Sequence, residues 1–200
     1  MKLTKTEIEI LKLFTSKITY SFSIREVSRE IKKDLKIVHT SIKNLLKNNF
    51  FIKDKRLSLN YKKNIPDLSY VENIRKEIFF QKFHFIRIKT NEFLEKTKHS
   101  FFILLVFGSY VEENHRKNSD IDILAILPRE DKNESFEREL NSIFSLSPKK
   151  VHLNVITRED FREMLNKRDQ LNVVNETINR HIILYGGETY YKLLGDRSVR

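Results

Sequence analysis

Asp120 and Asp122 flank Ile121 at the start of a largely apolar stretch, residues 121–127. Gly108 and Ser109 close an earlier apolar run, 101–107, and ten residues lie between Ser109 and Asp120. Residues two apart on a strand point to one face, roughly 6.6 Å apart along it. Two carboxylates placed in this way repel each other unless a cation lies between them. Oxygen donors that leave room for water and phosphate suit Mg²⁺. A glycine at a strand end lets backbone approach a phosphate closely. Ser109 adds a hydroxyl, and the turn or helix start after it presents free N–H groups to an anion. The expected chemistry is a phosphate grip at Gly108 and Ser109 beside a cation at Asp120 and Asp122.

Elements that position these residues are legible on both sides. The run 101–107 is continuous and apolar, which predicts a buried strand, and residues 121–127 predict a second strand. A helix is expected over 134–146, a third strand over 151–156, and helices over 158–167 and 169–180. A short apolar stretch, 182–185, leads to Gly186-Gly187 and a last helix over 188–194. Upstream, Thr4-Lys5-Thr6-Glu7 and Ser23-Ile24-Arg25-Glu26 are capping boxes, and Asp34 is a third cap. Leu35, Val38, Ile42 and Leu45 form an apolar stripe, ended by Asn48-Asn49, a pair suited to a left-handed helix stop. Residues 50–53 and 57–61 predict two short strands around the basic tip Asp54-Lys55-Arg56. Pro66-Asp67 marks a boundary region, and residues 68–98 predict a long helical segment, broken near its middle. Its apolar residues are too many for one stripe, so it packs on two sides. Those partners are the flanking domains or a second copy of itself.

Three short helices and a basic hairpin are what a winged helix-turn-helix requires, with the third helix in the major groove and the hairpin on the backbone. Residues 23–52 in particular resemble archaeal and bacterial winged helices. Lys36, His39, Thr40, Lys43 and Lys47 are expected to face DNA from the third helix, with Lys53, Lys55 and Arg56 on the wing. That helix has no arginine, so bidentate reading of guanine is absent and phosphate contact outweighs base reading. Winged helices also serve as protein docking modules, and that use stays open. The charge agrees with an anionic partner: the net charge is +11, and residues 1–60 carry 14 Lys and Arg against 6 Asp and Glu. A Lys- and Asn-rich composition of the genome would also produce such a balance. The chain has no cysteine, which excludes disulfides and thiolate metal sites. The longest apolar run, seven residues at 101–107, falls far short of a membrane span. No start resembles a signal peptide, and a cytoplasmic protein without membrane contact is expected.

Gly-Ser, ten residues, then Asp-x-Asp, each on an apolar strand and with Ser119 before the first aspartate, resembles the nucleotidyltransferase superfamily of DNA polymerase β. The likeness is strongest to the minimal nucleotidyltransferases of archaea and bacteria. It covers about residues 101–161, and residues 181–194 resemble the tail of archaeal members that carry a winged helix in front. The resemblance implies transfer of a nucleoside monophosphate from an NTP with Mg²⁺. It implies Gly108 and Ser109 as nucleotide-binding residues and Asp120 and Asp122 as catalytic metal ligands. The fold class expected is α+β. A winged helix-turn-helix over 1–65 is followed by a helical linker over 66–98. A nucleotidyltransferase-like domain over 99–200 then carries a small mixed β-sheet with helices. The implied partners are DNA, a nucleoside triphosphate and a second copy through the linker helix.

Two departures from the family pattern bear on activity. The usual Ala-Arg-Gly after Gly-Ser-Tyr is Val111-Glu112-Glu113 here, so an arginine that meets phosphate becomes a carboxylate. His115, Arg116 and Lys117 either compensate or form an exposed basic turn. The family's third carboxylate, matched through Thr157-x-Glu159, falls on Asn154, a neutral donor that cannot act as a base; His152 shares its face. Two functions remain compatible with this pattern: a nucleotidyltransferase acting on a small molecule, an RNA end or a protein hydroxyl, and a transcriptional regulator whose second domain is a nucleotide sensor or dimerisation platform.

Overall fold

The computed structural model describes residues 2–112, 119–128 and 133–196. The chain opens with α1 (Lys5–Ser16), β1 (Ser21–Phe22), α2 (Ile24–Glu30) and α3 (Leu35–Lys47), followed by the hairpin β2 (Phe51–Lys53) and β3 (Leu57–Leu59). Local signals fix these starts. Thr4 and Ser23 each close a capping box with Glu7 and Glu26, and Asp34 accepts from the amides of Lys36 and Ile37. Asn49 takes φ 61°, the left-handed turn that ends α3. The one element here without a sequence signal is β1, two residues long, which pairs antiparallel with β3 to give the sheet order β1-β3-β2.

Next come α4 (Ile65–Lys82) and α5 (His84–Lys96). The expected break is real and falls at Phe83, whose φ −125° and ψ 66° leave helical space. The helix starts earlier than expected: Pro66 lies inside its first turn, where a missing N–H costs nothing. The second half holds β4 (Ile103–Phe107), a 3₁₀ turn (Gly108–Tyr110), β5 (Ile121–Leu127), α6 (Asn133–Phe144), β6 (Val151–Thr157), α7 (Arg158–Asn166), α8 (Val173–Thr177), β7 (His181–Tyr185) and α9 (Gly187–Gly195). The helix expected over 169–180 shrinks to α8. Asn172 caps it, and the Asn172 and Asn175 side chains donate to carbonyls of residues 164–170, holding the preceding stretch as a turn. The strands run in the order β6-β5-β4-β7, with β5 and β6 parallel and the other pairs antiparallel. This is the small mixed sheet expected.

Two cores lie on the two faces of that sheet. On one face Leu104, Val106, Ile121, Ile123 and Ala125 meet Phe79 and Phe80 of α4, α5 and α6. On the other, Leu105, Phe107, Leu124 and Ile126 join α7, α9 and the first half of α4, through Leu68 and Val71, and run without interruption into Ile10, Phe14, Val38 and Leu57 of the N-terminal module. The linker thus packs on two sides, as its apolar surplus predicts.

A buried ionic network ties α4 to the sheet. Arg75 donates to Glu72 at 2.7 Å and to the carbonyl of His181 on β7 at 2.6 Å, and Tyr191 of α9 donates to Glu72 at 2.8 Å. Burial alone would raise the Glu72 pKa, yet the Arg75 guanidinium, with His181 and Tyr191, holds it below the ordinary range. A carboxylate with a depressed pKa contributes stability above its unfolded value of 4.5, and that contribution is lost as pH falls through the lower folded value. Removing one partner strands the other charge in a dry interior. Arg75→Met should therefore cost about 3–5 kcal/mol in urea unfolding, and adding Glu72→Leu should recover part of it. Equal and additive losses in the two single variants would contradict the coupling.

Candidate nucleotide and metal site

Strand β4 delivers the chain to Gly108, which takes φ 71° and turns it into the 3₁₀ segment. A Cβ built on Gly108 would stand 2.6 Å from Oδ2 of Asp122, so no larger residue fits while that carboxylate keeps its place. The reason is register: Phe107, the last residue of β4, pairs with Asp122 on β5. Asp122 alternates with the buried Ile121 and Ile123 and so projects from the opposite sheet face, that of Leu124 and Ile126. Asp120 lies just before the strand rather than in it.

The side chain bridging the two carboxylates is His152. Its Nε2 is 3.5 Å from Asp120 Oδ2 and its Nδ1 is 3.5 Å from Asp122 Oδ1. Lys150 stands 3.9 Å from the same Asp120 oxygen. The parallel register places His152 directly opposite Asp122 and Asn154 opposite Leu124. Asn154 therefore reaches the same face one pleat further along, while His152 holds the position beside the pair. Asp122 is partly withdrawn from water. Desolvation raises its pKa above the ordinary carboxylate value, His152 opposes the rise, and Asp120 adds to it.

A cleft of about 700 Å³ opens here, with Gly108, Asp122, His152 and Asn154 on one side and Asn172 and Glu176 before and within α8 on the other. Its described lining holds Asp122, Glu137 and Glu176 but no lysine or arginine. A polyphosphate entering this cleft meets like charge unless a divalent cation accompanies it. Among the described residues no group of three or more His, Cys, Asp and Glu side chains is arranged to hold a metal. Two carboxylates and a cradle left open by glycine fit Mg²⁺, which is commonly held by one or two carboxylates together with phosphate and water.

Of the two departures from the family pattern, Glu112 pairs with Arg180 at 2.7 Å, so a guanidinium does stand near the turn, contributed from just before β7. That pairing had no signal in the sequence, because the partners are distant in the chain. Glu113, His115, Arg116 and Lys117 lie outside the described residues.

The residues expected to face DNA are distributed more simply. Lys36, His39, Thr40, Lys43 and Lys47 are all exposed along α3, and Val38, Ile42 and Leu45 are buried beneath them. Lys53 and Lys55 are exposed on the hairpin. Arg56 is turned back: its guanidinium donates to the Ser21 carbonyl and to Glu26 at 2.6 Å. Glu26 is correspondingly acidic, with a pKa lowered to about 2 by its hydrogen bond from the Ser23 amide and by Arg56. Arg56 thus braces the hairpin base against α2. Among the described residues no helix is long and apolar enough to cross a membrane.

Residues 92–183 match the family model described as a nucleotidyltransferase domain. The match begins within α5, ahead of the boundary expected at 99, and contains β4, the Gly108 turn, β5, β6 and the helices between and after them. Comparison with curated proteins and with solved structures found no match. The segment that carries the Gly-Ser turn and the carboxylate pair is thus similar to a nucleotidyltransferase domain, which supports a nucleotidyl-transfer or related role for the chain.

Proposed function

We propose that this chain binds an NTP–Mg²⁺ complex in the cleft at Gly108 and transfers its nucleoside monophosphate to an acceptor, while the N-terminal module, a winged helix-turn-helix, binds DNA. The observation carrying the first half is the contact of the glycine turn with Asp122: phosphate-approaching backbone and that carboxylate share one wall of a cleft without lysine or arginine in its described lining. Gly108 and Ser109 hold phosphate through backbone N–H groups and the serine hydroxyl. Asp120 and Asp122 hold Mg²⁺, and Asn154 lends a neutral oxygen further along β6. The metal, when bound, neutralises phosphate charge and polarises the bond to be broken. His152 orients the two carboxylates, its ring nitrogens 3.5 Å from each.

One observation favours a second reading. The residue opposite Asp122 is an imidazole, not a carboxylate, and a continuous core joins the N-terminal module to the sheet face that bears the site. A nucleotide-responsive regulator that binds NTP–Mg²⁺ without turnover has the same features. Incubation with labelled NTPs, Mg²⁺ and cell extract separates the two, since transfer of label to any acceptor excludes the regulator reading. His152→Asp and Asn154→Asp should sharpen the contrast. Whichever position completes the anionic ligand set should raise basal transfer by about 10–10³-fold. No change from either variant would place the missing group elsewhere.

The metal reading has a stability test. Asp122 has a raised folded pKa, so the folded state loses stability as pH rises from 3.8 through that raised value, and the loss persists at neutral pH. Asp120→Asn with Asp122→Asn should therefore raise the metal-free Tm at pH 7.5, and the gain should vanish near pH 3.5. In wild type, NTP–Mg²⁺ at a hundred times Kd should add about 2.7 kcal/mol, roughly 5–10 °C for a chain of this size. The double variant should show no such shift, and NTP without Mg²⁺ should give none in either protein. A magnesium-dependent shift that survives both substitutions would remove the site from this cleft.

DNA binding has its own test. If about six basic side chains meet phosphates, raising salt from 50 to 200 mM should weaken binding by roughly 10³-fold. Lys43→Glu with Lys47→Glu should abolish it. Binding indifferent to both would end the proposal that α3 faces DNA.

A further inference from the structure

A second cleft, of about 720 Å³, lies where the end of α1, the last turns of α4 and the turn after Ser109 come together. Its described lining includes neither Gly108 nor the carboxylate pair. Four cationic side chains reach it from separate parts of the chain: Lys12 within α1 and Lys17 just after it, Lys82 at the end of α4, and Arg180 before β7. Arg75 closes the floor, its charge already met by Glu72. Glu112 is the one acidic side chain in the described lining. This is the reverse of the carboxylate cleft, where lysine and arginine are absent from the described lining.

The acidic partners of these cations are weak competitors. Lys12 pairs with Glu9 at 3.2 Å, Lys17 with Glu30 at 3.5 Å and Arg180 with Glu112 at 2.7 Å, all on or near the surface. Ion pairs in water hold little, and a phosphate with three acceptor oxygens replaces several of them at once. The cleft also carries aromatic surface. Tyr20 is 52% exposed, while Phe83 and Tyr110 pack together at 5.2 Å on the opposite wall. The two walls are pinned at one edge by a reciprocal pair: the Thr19 amide donates to Asn179 at 2.9 Å and the Asn179 amide donates to the Thr19 hydroxyl at 2.7 Å. The cleft is therefore a built junction, and its volume falls in the range of small-molecule sites.

We propose that this junction is a second nucleotide site, separate from the carboxylate cleft and independent of metal, taking a nucleoside monophosphate. The phosphate lies among Lys12, Lys17, Lys82 and Arg180, and the base rests on the Tyr20 ring. Because the walls come from the N-terminal module and from the turn bearing Ser109 and Tyr110, the ligand touches both halves of the chain at once.

The chain has no tryptophan, so Tyr20→Trp places a single reporter in the cleft. The experiment uses full-length Tyr20→Trp carrying also Asp120→Asn and Asp122→Asn, which silences the carboxylate cleft, with EDTA present. Titration with each of the four nucleoside monophosphates should change the emission saturably for at least one. Adding Lys17→Glu and Lys82→Glu should weaken that binding at least about 10-fold, the loss expected for charge-assisted hydrogen bonds. Lys192→Glu on α9, outside the cleft, should leave it unchanged. Lys82 is exposed and Lys17 half-buried at the surface, and circular dichroism should show the fold intact. No saturable change with any nucleotide, or binding indifferent to the two reversals, overturns the proposal. Inorganic phosphate binding as tightly as the nucleotides overturns the nucleoside part of it, as does a short single-stranded oligonucleotide that binds far more tightly than any monomer. None of these outcomes touches the metal-dependent reading, which the unmodified carboxylate pair tests separately.

Discussion

The Asp122 carboxylate occupies the space that any side chain on residue 108 would need, 2.6 Å from where its Cβ would be. This close approach requires β4 and β5 to pair as they do, with Phe107 opposite Asp122, and it requires a residue that accepts φ 71°. It also accounts for the electrostatics. Held against backbone on one side and near Asp120 on the other, Asp122 is costly to ionise, and His152 is the group that offsets the cost in the metal-free chain. A divalent cation held by Asp120 and Asp122 would offset the same cost with more charge.

Rigidity around this point comes from the other side of the sheet's edge. β7 is held by Arg75 through the His181 carbonyl, and α9 by Tyr191 through Glu72, so α4 clamps the strand next to β4. The same helix carries the N-terminal module, whose apolar residues continue into the core beneath Leu124 and Ile126. Motion of one half relative to the other would open that shared core. The Thr19–Asn179 pair and the lysine-lined junction add further contact between the N-terminal module and the second half of the chain.

Much of this was legible in the residues because the signals are local. Capping boxes at Thr4 and Ser23, the cap at Asp34 and the left-handed Asn49 set the N-terminal elements to within a residue or two. The runs 101–107 and 121–127 declare buried strands, and Gly-Ser with Asp-x-Asp marks the candidate site. What escaped depends on contacts across the chain. The two-residue β1 exists only because β3 offers it an edge. Matching Thr157-x-Glu159 draws attention to Asn154, whereas the parallel register of β6 brings His152 to Asp122, and no pattern within β6 fixes register against a partner strand. Arg180 at Glu112 and Arg56 at Glu26 likewise join residues far apart in sequence. The hairpin residue Arg56 reads as a phosphate contact in the sequence, but the Glu26 carboxylate takes its charge.

The most direct measurement is a crystal structure of the full chain soaked with MnCl₂ and a non-hydrolysable NTP, with anomalous diffraction to locate manganese. A manganese peak is expected in contact with the carboxylates of Asp120 and Asp122, with the His152 ring displaced from between them and the triphosphate against the Gly108 and Ser109 amides. Manganese bound elsewhere with the carboxylates still bridged by His152, or nucleotide bound away from Gly108, would contradict it.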